Sequence, residues 1–219
     1  LRQTAYTAIA AIGMFFVILI GGIDLSIGST IQIVGMTSII MLNNGCSVAL
    51  TIISVLLLSI GCGLINGLLV TYGKLQPFIV TLVMKEILAG LILVISGAQS
   101  ISGVNIPESF MNIGTGYIGI IPIPVVIMGI GFVIALFVMS KTIYGRQLYV
   151  TGSNRTAAYN SGVNVRLVQI SAYVLCSLCA AVSGLLTVAR TGAFQPSTTS
   201  QGATGMEMNA IAAVVLGGA

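Results

Sequence analysis

The chain contains no histidine and few charged side chains, with 8 Lys and Arg against 4 Asp and Glu in 219 residues. Without imidazole, it lacks the commonest metal ligand and the commonest acid–base catalyst of proteins. We therefore expect no metal and no cofactor. The scarcity of charge, the 57% hydrophobic composition and the mean hydropathy of +1.12 exclude a soluble globular domain. The sequence predicts an integral membrane protein.

Motifs of soluble enzymes are also missing from the sequence. There is no Gly-x-x-x-x-Gly-Lys-Ser/Thr phosphate loop and no Gly-x-Ser-x-Gly nucleophile elbow. The basic residues lie between apolar runs, so the net charge of +4 indicates membrane topology and not a nucleic-acid partner. Cys176 and Cys179 have the spacing of a redox pair, but they lie in an apolar run and are interpreted as packing residues. The chain is not expected to be an enzyme by itself.

Long apolar runs define the fold class. They last about 16 to 24 residues, the length of membrane helices and not of barrel strands. We predict an all-α polytopic membrane protein in which residues 1–219 form a single transmembrane domain, incomplete at both ends. The predicted helices lie near residues 4–20, 27–42, 47–70, 78–96, 122–140 and 168–188, with a partial seventh from residue 209.

The distribution of charge predicts the orientation of these helices. The loop at 141–166 carries four basic residues and no acid, whereas the loop at 97–121 carries one acid and no base. Positive loops face the cytoplasm, so the first loop is expected inside and the second outside. By alternation, Lys74 lies inside, and the stretches 43–45 and 190–207 lie outside.

The segment 21–29, Gly-Gly-Ile-Asp-Leu-Ser-Ile-Gly-Ser, places paired glycines and an acid between two short apolar runs. Unwound backbone at membrane depth is tolerated only against protein or water, and interrupted helices often mark a transport pathway. The short polar side chains are expected to accept from freed N–H groups and to cap the following helix. Two roles remain open for the acid: a pathway group, or only a helix cap at the membrane interface. The candidate pathway or gate residues are Gly21, Gly22, Asp24, Ser26, Ser29 and Glu207.

A second candidate segment is the basic loop at 141–167, expected to be a cytoplasmic coupling loop. Gly145-Arg146 is interpreted as a turn, Asn154 as a helix cap, and Gly162 as the stop of a short alanine-bearing helix. A short helix outside the membrane suits a docking surface. The alternative is an ordinary connector whose charges hold the topology.

Several long motifs resemble the permease subunit of bacterial ribose-type ABC importers, and the resemblance covers the whole chain. They are the segment 21–29, Asn66-Gly-Leu-Leu-Val, Gln76-Pro-Phe-Ile-Val-Thr-Leu, the loop 145–162, and Ala210-Ile-Ala-Ala-Val-Val-Leu-Gly-Gly.

This resemblance implies a multi-pass protein of the bacterial inner membrane that imports a monosaccharide. Its implied partners are a periplasmic sugar-binding protein, a separate ATP-binding subunit and a second permease copy in the lipid bilayer. Gly22, Asp24 and Ser26 would shape the gate or pathway. The ATPase-coupling residues would be Gly145, Arg146, Asn154, Ala157, Ala158, Ser161 and Gly162.

The chain departs from the family pattern at two places. The family usually has Arg before Gly90, where this chain has Ala89, and Lys85 one turn earlier is the candidate replacement. Asn209 stands where ribose-type members commonly carry Asp. Lys85 and its neighbour Glu86 diverge on a helix, so pairing between them does not explain these two charges inside an apolar segment; the alternative is that the helix tilts and both charges reach the interface.

The role of Glu207 and the energy source are left open by the sequence. Glu207 is expected either as an interfacial, solvated acid or as a group that lines the outer mouth or contacts the binding protein. An ion-coupled secondary transporter using Asp24, Glu86 and Glu207 as ion ligands is the alternative to an ABC permease. Within the family, a branched-chain amino acid permease is the rival assignment.

Overall fold

The structure, a computed structural model, describes residues 2–196 and 205–218. Within these ranges it contains helices and four two-residue strands that pair β1 with β4 and β2 with β3. The helices are α1 (Arg2–Leu19), α2 (Ile27–Asn43), α3 (Val48–Thr71), α4 (Pro77–Ser96), α5 (Glu108–Thr115), α6 (Ile123–Lys141), α7 (Ile143–Ser153), α8 (Arg155–Asn160), α9 (Val165–Thr191) and α10 (Met206–Leu216); the strands are β1 (Ile101–Ser102), β2 (Tyr117–Ile118), β3 (Ile121–Pro122) and β4 (Ala193–Phe194).

The all-α polytopic fold class is confirmed. Helices α1, α3, α4, α6 and α9 are long and apolar enough to cross a membrane, whereas α2 has 17 residues and α10 has 11. Each predicted apolar segment is a helix, with ends shifted by a few residues. The largest shift is at α9, because the Asn164 side chain accepts from the Leu167 N–H and starts the helix at Val165.

The loops lie at the two ends of the helix bundle, each at the end predicted from the alternating direction of successive helices. Asn43, at the end of α2, bonds to Ser102 and Val104 in the segment before α5. At the other end, the guanidinium of Arg166 lies 5.3 Å from the ring centroid of Tyr72, after α3. One end therefore carries α5 and the strands, and the opposite end carries α7 and α8.

Helix α9 is the central helix of the bundle and packs against α1, α2, α3 and α5. Small residues bring backbones together there: a Cβ at Gly63 of α3 would lie 2.8 Å from the carbonyl oxygen of Tyr173, and a Cβ at Gly184 of α9 would lie 2.7 Å from that of Ile31. Close glycine contacts of this kind are the usual basis of helix association in membranes, where lipid offers no hydrophobic drive.

Two helices outside the apolar runs were missed by the sequence analysis, α5 and α7. The predicted turn at Gly145-Arg146 is wrong, because both residues lie inside α7. The cap that starts this helix is Thr142, whose hydroxyl oxygen accepts from the Gly145 N–H at 3.2 Å. A threonine directly after an apolar run is easily taken for the end of one helix and not for the start of the next.

Candidate translocation site and coupling segment

The predicted interruption lies between α1 and α2. Helix α1 ends at Leu19, and Gly21 has a φ of 74°, a left-handed conformation that glycine adopts without steric cost. A Cβ at Gly22 would lie 2.7 Å from the Tyr173 hydroxyl oxygen. The first glycine is therefore required by the turn and the second by the close approach of α9. The broken helix near 21–29 is confirmed.

Asp24 lies at the centre of a buried polar cluster, with 1% of its surface exposed. Its Oδ1 accepts from the Ser26 N–H at 2.9 Å and from the Ser26 hydroxyl at 2.6 Å. Asn66 of α3 then donates from Nδ2 to the Ser26 Oγ at 2.9 Å. Hydrogen bonds to a carboxylate are stronger than bonds between neutral groups, so the two donors offset part of the cost of burying Asp24.

This cluster is only partly satisfied within the described residues. Asp24 Oδ2, Asn66 Oδ1 and the Tyr173 hydroxyl are buried and have no hydrogen-bond partner there. The predicted capping role holds in part: Asp24 accepts one backbone N–H, but the Ser26 side chain makes no cap bond to α2. A buried acceptor without a donor is costly, so Asp24 is more than a satisfied helix cap.

Helix α4 holds the other side of the interrupted segment. The Thr81 hydroxyl shares its proton between the carbonyl of Ile23 at 3.2 Å and that of Pro77 in its own helix at 2.9 Å. The Ser29 hydroxyl donates to the carbonyl of Lys85 at 3.0 Å. The hydroxyl of Ser29 therefore bonds to α4, and the prediction that it accepts from a freed N–H of its own segment is wrong. Together these bonds fix the segment 21–29 between α3 and α4.

Lys85 and Glu207 form an ion pair between α4 and α10, with Nζ 2.6 Å from Oε1. Glu207 is 2% exposed, and its Oε2 also accepts from the Gly205 N–H at 3.0 Å. The expectation of a solvated interfacial acid is therefore wrong, as is the alternative in which Lys85 reaches the interface without a partner. The two residues are 122 positions apart in the chain, which hides the pair from sequence analysis.

Two polar residues close to this pair in the sequence, Glu86 and Asn209, lie on the exposed surface. Glu86, next to Lys85, is exposed on α4, because successive residues of a helix diverge by about 100°. Asn209, two residues after Glu207, is also exposed. Around Glu86 the exposed face of α4 is apolar and includes Leu82, Val83 and Ile87.

The loop at 141–167, predicted to be a coupling loop, contains the predicted short helix, α8. The Asn154 side chain caps it by accepting from the Ala157 N–H at 3.0 Å, and Gly162 follows its end with a φ of 79°. The structure divides the predicted coupling residues into two groups. Gly145 and Ala158 are buried, whereas Arg146, Asn154, Ala157, Ser161 and Gly162 are exposed.

A link between this segment and the helix break was not found from the sequence. Arg155, the first residue of α8, donates from Nη2 to the carbonyl oxygen of Ile20 at 3.1 Å. Gly152 of α7 packs so tightly on the carbonyl of Leu19 that a Cβ would overlap it. Helices α7 and α8 therefore contact the last turn of α1, directly before Gly21.

Comparison with known proteins gives one family for the whole chain. Residues 1–219 match the family described as "Branched-chain amino acid transport system / permease component". The chain is 38% identical to the ribose import permease protein of Haemophilus influenzae and 37% identical to that of Escherichia coli, over 100% of this chain and 67% of each relative. It is 34% identical to the D-allose transport system permease protein of Escherichia coli, over 99% of this chain and 65% of that protein. No solved structure matches the chain.

The chain belongs to this family of membrane permease components. It spans about two thirds of the length of the curated relatives it matches, 67% for the ribose permease of Haemophilus influenzae. The resemblance found in the sequence motifs is thereby confirmed, and so is the assignment as a transport component and not an enzyme. The alternative of an ion-coupled secondary transporter is not favoured.

Proposed function

We propose that this permease subunit carries a neutral monosaccharide, of the ribose type, across the bacterial inner membrane within an ABC importer. Relatives named as ribose and D-allose permeases, each at least 34% identical, support a sugar over a branched-chain amino acid. The observation that supports a translocation role within the chain is the broken helix at Gly21 and Gly22, with a buried and partly unsatisfied Asp24 beside it. Burying an acid with an unpaired acceptor costs free energy, and nothing would compensate for that cost in a bundle with a purely structural role.

The orientation follows from the basic loop. With α7 and α8 in the cytoplasm, residues 141–167 form the coupling segment on which a separate ATP-binding subunit docks. The exposed Arg146, Ala157 and Ser161 would form its contact surface. The opposite end, with α5, would face a periplasmic sugar-binding protein. On this orientation the segment 21–29 lies in the cytoplasmic half of the single membrane domain, as a gate.

Arg155 connects the docking surface to that gate. Its bond to the Ile20 carbonyl joins α8 to the end of α1, one residue before the left-handed Gly21. A displacement of α8 by the ATP-binding subunit would pull on this carbonyl and change the turn. Asp24 and Asn66 retain free acceptors within the described residues, so an altered turn can give these atoms the donors that they lack here.

The exposed carboxylate of Glu86 supports a second permease copy. Charged side chains in membrane helices face a bundle interior or a water-filled cavity, because lipid cannot solvate them. Since Glu86 lies on the outside of this chain, the α4 face around it would meet the second copy, which would keep the carboxylate away from lipid. Both charged and apolar parts of that face then have a partner.

The function is tested by the energy source of uptake. Cells that carry the complete transporter and no other ribose uptake system are given radiolabelled D-ribose, with either an uncoupler that leaves ATP intact or an ATP-binding subunit lacking its catalytic glutamate. We expect uptake to persist with the uncoupler and to stop with the inactive ATPase. The opposite pattern would establish an ion-coupled carrier, and uptake of leucine in place of ribose would establish the amino acid branch.

Asp24→Asn is expected to lower ribose uptake about five- to tenfold without removing the protein from the membrane. The amide keeps an oxygen for the two Ser26 donors but loses the charge, and charge-assisted bonds exceed neutral ones by about 1 kcal/mol. The measurement is initial uptake rate normalised to membrane-inserted protein. Ser38→Ala is the matched control, since its buried hydroxyl bonds only to its own helix at Val34. Full uptake by Asp24→Asn would leave Asp24 as a dispensable cap.

A further inference from the structure

A polar cavity of about 290 Å³ lies between α2 and the last turns of α9. Its polar side chains come from both elements and from the residue after β4: Gln32, Thr187, Thr191 and Gln195. Phe194, which is 4% exposed, adds an aromatic wall. This mixture of a few polar groups on an apolar frame is typical of small-ligand sites, and the volume is at the small end of their range.

The cavity begins at the closest crossing of α2 and α9. A Cβ at Gly35 would lie 2.7 Å from a methyl of Val188, and a Cβ at Gly184 would lie 2.7 Å from the Ile31 carbonyl oxygen. Above this crossing, Thr191 and Gln195 lie at the end of the bundle that carries α5. The cavity therefore reaches from the middle of α2 to that end.

The polar contacts of the interrupted segment begin one helical turn from this cavity along α2. Gln32 follows Ser29 by three residues, so the two share one side of α2, with Gln32 one turn nearer the α5 end. Ser29 in turn bonds to Lys85, the residue that pairs with Glu207. A molecule that leaves the cavity toward the break at Gly21 would meet polar groups at each turn of the helix.

The polar groups of the cavity suit a ligand with several hydroxyls. Thr187 donates its hydroxyl proton to the Ser183 carbonyl at 2.8 Å, and Thr191 donates its own to the Ala193 carbonyl at 2.8 Å. Their oxygens therefore keep lone pairs that accept from a ligand, while the Gln32 amide offers both donor and acceptor. No ionisable side chain lines this cavity in the described residues, which favours a neutral ligand.

Other cavities in the described residues lack this chemistry. Two of them, of about 460 and 330 Å³, are lined almost wholly by aliphatic and aromatic side chains of α1, α6 and neighbouring helices. Surfaces of that kind suit lipid chains or another helix and offer a sugar hydroxyl nothing to bond to.

We infer that the cavity around Gln32 and Thr187 is a binding site, within one permease copy, for a neutral polyhydroxylated molecule of monosaccharide size. The site receives the cargo at the α5 end, before it passes the Lys85–Glu207 pair. This inference rests on the proposed import of a neutral sugar, and it adds that the first binding site of the cargo lies between α2 and α9.

The test is protection of a cysteine in the cavity by the cargo. Thr187→Cys is introduced into the complete transporter together with Cys46→Ser and Cys179→Ser, because these two native thiols are partly exposed. Cells are treated with a charged, membrane-impermeant methanethiosulfonate, with and without D-ribose. We expect ribose to slow labelling of the new thiol about three- to tenfold, and leucine to leave it unchanged. Asn112→Cys, exposed at the same end on α5, is the control site and is expected to label equally in all conditions.

A conservative pair of variants adds a functional readout. Thr187→Val removes the hydroxyl at constant shape and is expected to lower ribose uptake about three- to tenfold, the effect of one lost hydrogen bond, whereas Thr187→Ser keeps uptake near the wild-type rate. If ribose uptake is intact but neither labelling nor uptake responds at position 187, the cavity is not the site and the proposed function stands. If no neutral sugar is taken up at all, the proposed function and this inference both fail. Protection by leucine would overturn the assigned ligand chemistry.

Discussion

Replacement of Lys85 by methionine is expected to destabilise the permease by about 3–5 kcal/mol, because it leaves the Glu207 carboxylate buried without its cation. Glu207→Gln is expected to cost less. The side chain of Lys85 is 25% exposed and that of Glu207 is only 3% exposed, so protein encloses the carboxylate more completely than the ammonium. The measurement is the temperature at which detergent-solubilised protein leaves the monodisperse peak in fluorescence-detected size-exclusion chromatography.

Two double variants separate the ion pair from a simple loss of packing. Lys85→Met with Glu207→Met removes both charges and is expected to recover most of the stability, since replacing a buried pair by apolar groups is often neutral. Lys85→Met with Ala89→Arg places a cation one turn further along the same side of α4 and is expected to recover part of it. Equal stability of Lys85→Met and the wild type would mean that the pair contributes nothing to the fold.

Replacement of Gly152 by alanine is expected to weaken the contact of α7 and α8 with the end of α1, and with it the proposed link between the coupling segment and the gate. The new methyl group overlaps the Leu19 carbonyl, a backbone atom that cannot rotate away, so α7 must shift from α1 at a cost of about 1–3 kcal/mol. Because the shift also moves Arg155 relative to the Ile20 carbonyl, we expect ribose uptake per ATP hydrolysed to fall about tenfold, the change that about 1.4 kcal/mol corresponds to.

The readouts for this variant are ATPase activity and uptake measured together in proteoliposomes. ATP hydrolysis is expected to continue, because the variant replaces none of the exposed docking residues Arg146, Ala157 and Ser161. Gly61→Ala is the matched control: Gly61 lies inside α3, and a Cβ there has open space around it. Its stability is expected to stay the same or to rise slightly. An unchanged ratio of uptake to hydrolysis in Gly152→Ala would show that the contact with α1 has no part in coupling.

The local features of the fold were open to prediction from the sequence. Apolar runs of membrane length, the paired glycines at 21 and 22, and the cap at Asn154 each act within one or two helical turns. Their effects on the backbone therefore do not depend on distant parts of the chain. The exceptions were the short helix α5 and helix α7, where Thr142 both follows one helix and starts the next.

Features that depend on distant residues could not be predicted in this way. The partner of Lys85 lies 122 residues away, and the carbonyl bound by Arg155 lies 135 residues away. Glu207 looked like an interfacial acid because it stands next to an apolar run in sequence, while the fold places it against the middle of α4. Residues such as Asn66 and Thr81 were seen as parts of motifs, but only the packing of three helices brings them to the segment 21–29.

The glycine contacts of α9 distinguish helices that meet backbone to backbone from a helix that is held by side chains. At Gly13 of α1 and at Gly63 and Gly67 of α3, the space for a Cβ is filled by atoms of α9, so α1, α3 and α9 interlock at these points. Helix α4 has no such lock at Gly90, which faces open space, and it meets the segment 21–29 and α10 through exchangeable side-chain bonds. The seam along which the subunit opens and closes would then coincide with its line of polar residues, so that each step of opening also changes the groups presented to the passing molecule.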